Sequence, residues 1–309
     1  MRNFTALILV ILMSASVCYA SSADVNFRAE NRGNIYRPDK SADKELQSLI
    51  AEFLPKFTVH TYSDDVTGLT VDYSVYLPEG YTPSAKFPAV FFIADGSSAG
   101  KNPQYSLTQG LGGLIWCRHN CVVIVPSFPS IVLDDHNGFV ESDYVELTGR
   151  FVNWAVKNYG VDAERVYATG QSMGCMTFLV LSSRYPDMFT ACLFVSGQWN
   201  INALRGLLGQ KFAYIASAGD PKASAGMNEV IEMFTRDDTR GFTVHRNVDA
   251  ENPAVSLTLS IPANFLMFMK GSTLPSLTSG EISEHMSSFD YAYRIGAVRE
   301  WLLAQKKGE

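Results

Sequence analysis

Hydrophobic residues in this chain change their spacing several times, and each change marks a different kind of element. Thr58-Val59-His60-Thr61-Tyr62 is strand-like, and Val71, Tyr73, Val75 and Leu77 then alternate with Asp72, Ser74 and Tyr76. A period of two predicts half-buried strands, and Pro78-Glu79-Gly80-Tyr81 predicts the turn that ends the second. Ala89-Val90-Phe91-Phe92-Ile93 and Val122-Val123-Ile124-Val125 lack alternation, the pattern of strands covered on both faces. Helical spacing follows over 142–158, with Val145, Phe151, Val152, Ala155 and Val156 on one side. The remaining predicted elements are strands at Val166–Thr169, Ala191–Val195 and Phe212–Ala216, a helix over 224–235, a last strand in Phe265–Met269, and a final helix near 290–305. Strands and helices alternate, so the predicted class is α/β: a mostly parallel sheet, antiparallel at its start, with helices on both faces. Ligands in such sheets bind outside the carboxyl ends of the strands.

The first residues follow a different pattern. Residues 1–20 read as a signal peptide, with Arg2 as the charged start, Ala6 to Met13 as the apolar stretch and Ala20 at a site suited to cleavage. Residues 21–56 read as an N-terminal extension containing a short helical pattern (Leu46, Leu49, Ile50, Phe53), and 57–309 as one catalytic domain. The expectation is an exported protein, periplasmic or extracellular. Val17 is too bulky before Cys18 for lipoprotein processing, and no second stretch reaches the length of a membrane span. A net charge of −6, from 25 basic and 31 acidic residues, argues against nucleic acid or an anionic membrane surface as the main partner.

Four cysteines lie beyond the leader. Cys117 and Cys121 flank the short turn Arg118-His119-Asn120, a spacing that predicts a disulfide in an exported chain. Cys175 and Cys192 read as small buried hydrophobes.

Candidate chemistry centres on Gly170-Gln171-Ser172-Met173-Gly174, which lies between the predicted strand 166–169 and an apolar helix-like run beginning at Cys175. A turn this tight lifts the serine hydroxyl out of the sheet, and a Cβ on either flanking glycine would crowd it. Ser172 is therefore the candidate nucleophile. A serine hydroxyl needs a base, and the base an orienting carboxylate; with this kind of turn the acid and then the histidine follow in the chain. His245 sits in a strand-like run, Phe242 to His245, whereas His285 follows a loop containing Thr278-Ser279-Gly280-Glu281 and precedes the last helix, so His285 is the candidate base. Asp220 is the candidate acid, at the carboxyl end of a strand expected beside the nucleophile strand; Asp249, Glu251 and Glu284 compete with it, and Asp220 also suits a helix cap. The oxyanion needs two N–H donors, expected from Met173 and from Ser97 in the loop 94–100.

These motifs, with Arg165-Val166-Tyr167-Ala168-Thr169 before the elbow, Glu284-His285-Met286-Ser287-Ser288-Phe289-Asp290-Tyr291 around the base and Arg299-Glu300-Trp301-Leu302 after it, resemble the α/β-hydrolases. Within them the chain is similar to the secreted esterase group that includes polyhydroxybutyrate depolymerase-like and feruloyl esterase-like enzymes, and to prolyl oligopeptidase catalytic domains. The resemblance covers about residues 70 to 305. It implies an α/β-hydrolase fold and carboxylic ester hydrolysis through a serine acyl-enzyme. Two positions depart from that pattern: Asp95-Gly96 replaces the usual His-Gly, and Cys175 replaces a glycine. A carboxylate beside an oxyanion opposes the charge that develops there unless it points away.

About 15 residues separate the strand 191–195 from the next, too few for a large lid, so the site is expected to be open on that side. Trp199 is placed either in the pocket wall or in the core, and part of 236–284 in the pocket wall or the last strand. Leu133-Asp134-Asp135-His136-Asn137 reads as a solvated loop rather than a metal site. The expected partner is a small-molecule or polymeric ester, and the chemistry requires neither metal nor organic cofactor. A serine peptidase and a non-catalytic binding protein on the same scaffold are the alternatives, and oligomeric state stays open.

Overall fold

The computed structural model describes residues 38–253, 259, 261–274 and 284–308. The expected leader, residues 21–37 of the extension and Thr278–Glu281 lie outside the described residues. In chain order the elements are α1 (Lys44–Phe53), β1 (Thr58–Ser63), β2 (Thr70–Tyr76), β3 (Ala89–Ile93), α2 (Leu111–Leu114), β4 (Val122–Ser127), β5 (Leu133–Asp134), β6 (Val140–Glu141) and α3 (Tyr144–Asn158). They continue with β7 (Val166–Gln171), α4 (Met173–Arg184), β8 (Ala191–Val195), β9 (Phe212–Ser217), α5 (Pro221–Asp237), β10 (Phe242–Val248), β11 (Ala263–Phe268), α6 (Ser288–Arg294) and α7 (Gly296–Ala304).

Among the described residues, nine strands form one sheet in the order β1-β2-β4-β3-β7-β8-β9-β11-β10. The β1–β2 and β2–β4 pairs are antiparallel and the rest are parallel, as the alternation of strands and helices predicts. Side chains alternate across the sheet. From β3, Ala89, Phe91 and Ile93 face the layer built by α3, α4 and α5, while Val90 and Phe92 face α1, α2, α6 and α7. Being buried on both sides is why β3 and β8 are continuously apolar and why β4, β7 and β9 are apolar over most of their length.

Several boundaries differ from the sequence expectation. Helix α5 starts at Pro221 rather than 224, because Asp220 accepts the Ala223 N–H and proline fits the first helical position. The single final helix is two helices, interrupted where Ile295 turns extended (φ −69°, ψ 96°). Strand β11 is last in sequence yet lies inside the sheet, leaving β10 as the edge. The described part of the extension, residues 38–56, packs on the main fold: Leu46, Leu49 and Phe53 of α1 are buried against the second layer, and Lys40 pairs with buried Asp290 of α6.

The expected Cys117–Cys121 disulfide is absent; both thiols are free and buried. Cys121 Sγ points to the Trp116 carbonyl at 3.4 Å, and both sulfurs sit in the apolar layer with Tyr76. Burial pushes the Cys121 thiol up to about 12 and raises Cys117 as well, so neither is the thiolate that disulfide exchange requires. Cys175 and Cys192 are likewise free and buried.

Asp64, after β1, joins the antiparallel edge to α3 by a bidentate pair with Arg150, both contacts at 2.7 Å. The guanidinium, with burial opposing it and Thr67 assisting, holds the Asp64 carboxyl well below the usual carboxylate range. A depressed folded-state pKa stabilises above the unfolded value of about 3.9 and loses that contribution as pH falls through the depressed value. Asp64→Asn is expected to cost about 2 kcal/mol at pH 7 in urea unfolding, with the gap to wild type narrowing at pH 3. An equal gap at both pH values contradicts this assignment.

Candidate active site

The turn after β7 bends so sharply that Ser172 takes φ 51° and ψ −114°, a left-handed backbone that is costly for any residue with a Cβ. Its neighbours hold it there. Ser172 N–H donates to the Val195 carbonyl at 3.0 Å, and Gly174 N–H donates to the Ala94 carbonyl at 3.1 Å. A Cβ on Gly170 would lie 2.3 Å from the Gly174 carbonyl carbon, and one on Gly174 would lie 1.9 Å from the Ile93 oxygen. Both glycines are therefore steric necessities. Cys175, in place of a further glycine, shifts the demand across the turn: a Cβ on Gly197 would meet its sulfur at 2.8 Å.

The structure brings Ser172, His285 and Asp220 together. His285 Nε2 lies 2.8 Å from Ser172 Oγ, and His285 Nδ1 lies 2.6 Å from Asp220 Oδ2. A carboxylate accepts only, so Nδ1 carries the proton and Nε2 is left to accept from the serine hydroxyl. Asp220 is buried, and its other oxygen, Oδ1, accepts the Ala223 N–H at 3.2 Å, so the helix cap and the imidazole contact coexist. Its strand, β9, is separated from β7 by β8 rather than adjacent to it as expected; the loops at the carboxyl edge span that distance. His245, Asp249 and Glu251 lie elsewhere. His245 lies on edge strand β10 opposite Leu266; Asp249 accepts the Glu251 N–H, and Glu251 accepts the Tyr291 hydroxyl.

Among the described residues, Met173 N–H, at the start of α4, donates to no protein acceptor. Ser97 N–H instead donates to Asp95 Oδ1 at 2.9 Å. Asp95 is buried, and its second oxygen accepts from Gln171, the residue before Ser172, at 3.0 Å. Gln171 Oε1 is buried without a partner. The sequence marked Asp95 as a departure but carried no signal for its bond to Gln171, which depends on β3 and β7 being neighbours.

The surroundings are partly as expected. The β8–β9 connection holds only two short 3₁₀ turns and no lid. Trp199 is 3 % exposed and joins the core; Phe139, 41 % exposed, packs edge-on against it at 5.1 Å and presents the aromatic surface. The loop 133–137 is less solvated than expected. Asp134 is buried and accepts from His136 N–H and Asn137, and Asp135 pairs with Gln198 and with Lys222, two residues past Asp220.

Comparison with known proteins places this geometry in context. The Esterase family model matches residues 137–251. Acetylxylan esterase A of Aspergillus ficuum is 27% identical over 148 residues, covering 44% of this chain and 45% of that protein, so the chain spans less than half the length of that relative. The Aspergillus awamori acetylxylan esterase A is 32% identical over 89 residues, covering 26% and 28% of the two chains. Among solved structures, a thermostable esterase superposes with a TM-score of 0.66 at 18% identity, over 83% of this chain and 64% of that one. The feruloyl esterase module of Clostridium thermocellum gives 0.51 at 13% identity, over 77% and 86%. The fold is that of the α/β-hydrolases.

Gly174→Ala is expected to be the most damaging single-methyl change at the turn, because the backbone oxygen of Ile93 has nowhere to go. It should yield little soluble protein or a melting temperature lowered by about 10 °C or more in calorimetry. Wild-type stability in Gly174→Ala contradicts the steric argument.

Proposed function

We propose that this chain is a serine-dependent carboxylic ester hydrolase working through an acyl-enzyme. The observation that carries this reading is the unbroken line from Ser172 Oγ through His285 to Asp220, with the serine on a strained turn at the carboxyl edge of a parallel sheet. Ser172 Oγ attacks the ester carbonyl as its proton passes to His285 Nε2, and Asp220 holds the Nδ1–H tautomer and stabilises the imidazolium. The imidazolium gives that proton to the departing alkoxide, leaving the acyl group on Ser172. Water, deprotonated by His285, then attacks the acyl carbon and releases the acid and the free serine. The family match and the acetylxylan esterase relatives support the ester as the bond cleaved. Export fits the leader-like residues 1–20.

The oxyanion is assigned to Met173 N–H, at the positive end of α4, with Ser97 N–H as the second donor. Ser97 N–H is held by Asp95 at rest, so the developing oxyanion has to draw it away from a carboxylate. Removing that charge with Asp95→Asn is expected to raise kcat several-fold, a change of about 1 kcal/mol. A kcat lowered by an order of magnitude contradicts the placement of Ser97 in the oxyanion site.

The direct test uses protein lacking residues 1–20 and a panel of p-nitrophenyl esters of increasing length, a feruloyl ester and a matched peptide amide. Short-chain or aromatic esters are expected to turn over far faster than the amide, whose poorer leaving group needs more exact protonation. Ser172→Ala and His285→Ala are each expected to lower kcat by at least about ten-thousandfold with the fold intact, and Asp220→Asn by less. Comparable ester and amide turnover points to a peptidase, and retained activity in His285→Ala removes the base assignment.

A further inference from the structure

Glu284 directly precedes the base, is 1 % exposed, and is used by none of the steps above. A buried carboxylate is costly unless its oxygens are hydrogen-bonded. Here Oε2 accepts Ser217 Oγ–H at 2.9 Å and Thr273 Oγ1–H at 2.5 Å, and Oε1 accepts Gly271 N–H at 2.5 Å. Ser217 ends β9, the strand that leads to the acid; Gly271 and Thr273 belong to the turn after β11. Glu284 N–H donates to the Gly219 carbonyl at 3.2 Å. Gly219 comes immediately before Asp220, and a Cβ on it would lie 1.8 Å from Glu284 Oε1. One carboxylate thus sits where the acid loop, the turn after β11 and the base meet.

The chain beyond Glu284 is fixed as well. Ser288 Oγ–H donates to the His285 carbonyl at 2.9 Å, which leaves Ser288 Oγ to accept from Ser196 Oγ at 2.7 Å. Besides the imidazole contact with Asp220 itself, the Glu284 side ties the backbone of the base to the loop that carries its acid.

We propose that Glu284 is the positioning residue of the catalytic base, setting the His285 ring against both Asp220 and Ser172 without touching substrate. The assignment rests on the ester hydrolase reading given above. Its three donors leave Glu284 no role as a second orienting acid; it acts through the backbone of its neighbour. A displacement near 1 Å of a catalytic group costs about a hundredfold in rate, and that is the loss expected in kcat for Glu284→Ala.

The experiment compares wild type, Glu284→Ala, Glu284→Gln, His285→Ala and Glu284→Ala/His285→Ala with p-nitrophenyl acetate, with unfolding curves for each. The expected result is a kcat lowered about a hundredfold in Glu284→Ala with KM within about threefold, most of it restored by glutamine, which keeps one acceptor for Gly271 N–H. In the His285→Ala background the alanine change should have no further effect, because a positioning residue has nothing left to position. Wild-type kcat in Glu284→Ala, or an equal loss with and without His285, overturns the proposal. If Glu284→Ala does not fold, Ser217→Ala/Thr273→Val decides it: a kcat loss of about fivefold or more confined to the His285-containing protein supports the proposal, and an unchanged kcat overturns it. Absence of Ser172-dependent turnover in wild type overturns the hydrolase reading and this proposal together; Ser172-dependent turnover unaffected by Glu284→Ala overturns the proposal alone.

Discussion

A serine held at φ 51° and ψ −114° costs about 1–3 kcal/mol of backbone strain, and that strain persists only where its surroundings over-determine it. Ser172 meets this condition through both its neighbouring strands. β8 receives its N–H at Val195, and Ala94, the residue after β3, receives the N–H of Gly174. β7 lies between these two strands, so the turn is locked by the register of the centre of the sheet. Nothing larger than glycine fits at 170, 174 or 197, and the hydroxyl is thereby presented where the loops from β9 and β11 converge.

A second requirement follows, since the histidine belongs to a loop and loops are poor at holding angles. Two buried carboxylates answer it. Asp220 holds the ring through Nδ1 while capping α5, so the helix start fixes the acid and the acid fixes the imidazole. Glu284 holds the backbone beside the ring. A second strained residue, Ser196 at φ 46°, sits at the end of β8 and reaches the His285 carbonyl through Ser288. These buried polar side chains are tolerated because each finds its partners, and those partners fix the directions of the groups at the site.

Much of this was legible in the sequence because the signals are local. Unbroken apolar runs such as 89–93 reveal a strand covered on both faces, and a glycine-flanked serine between strand and helix reveals the turn. What stayed hidden depends on elements distant in sequence. That Asp95 takes the Ser97 N–H and the Gln171 amide follows from the β3–β7 pairing, and that β8 lies between the strands of nucleophile and acid follows from sheet order. The spacing of Cys117 and Cys121 suggested a bridge, yet spacing says nothing about where sulfurs point, and Cys121 turns to the Trp116 carbonyl inside an apolar layer. In the sequence Glu284 reads only as a competing acid, since its donors at 217, 271 and 273 are brought to it by the β9–β11 pairing.

The central claim is that Ser172 is activated by its line to His285, and a fluorophosphonate reads this without any assumption about substrate. Intact-mass and peptide-mapping measurements should find one phosphonyl group per chain on Ser172 in wild type, with labelling slowed by at least about a thousandfold in His285→Ala. Labelling at another residue, no labelling of wild type, or labelling of Ser172 at the same rate without His285 would contradict the account.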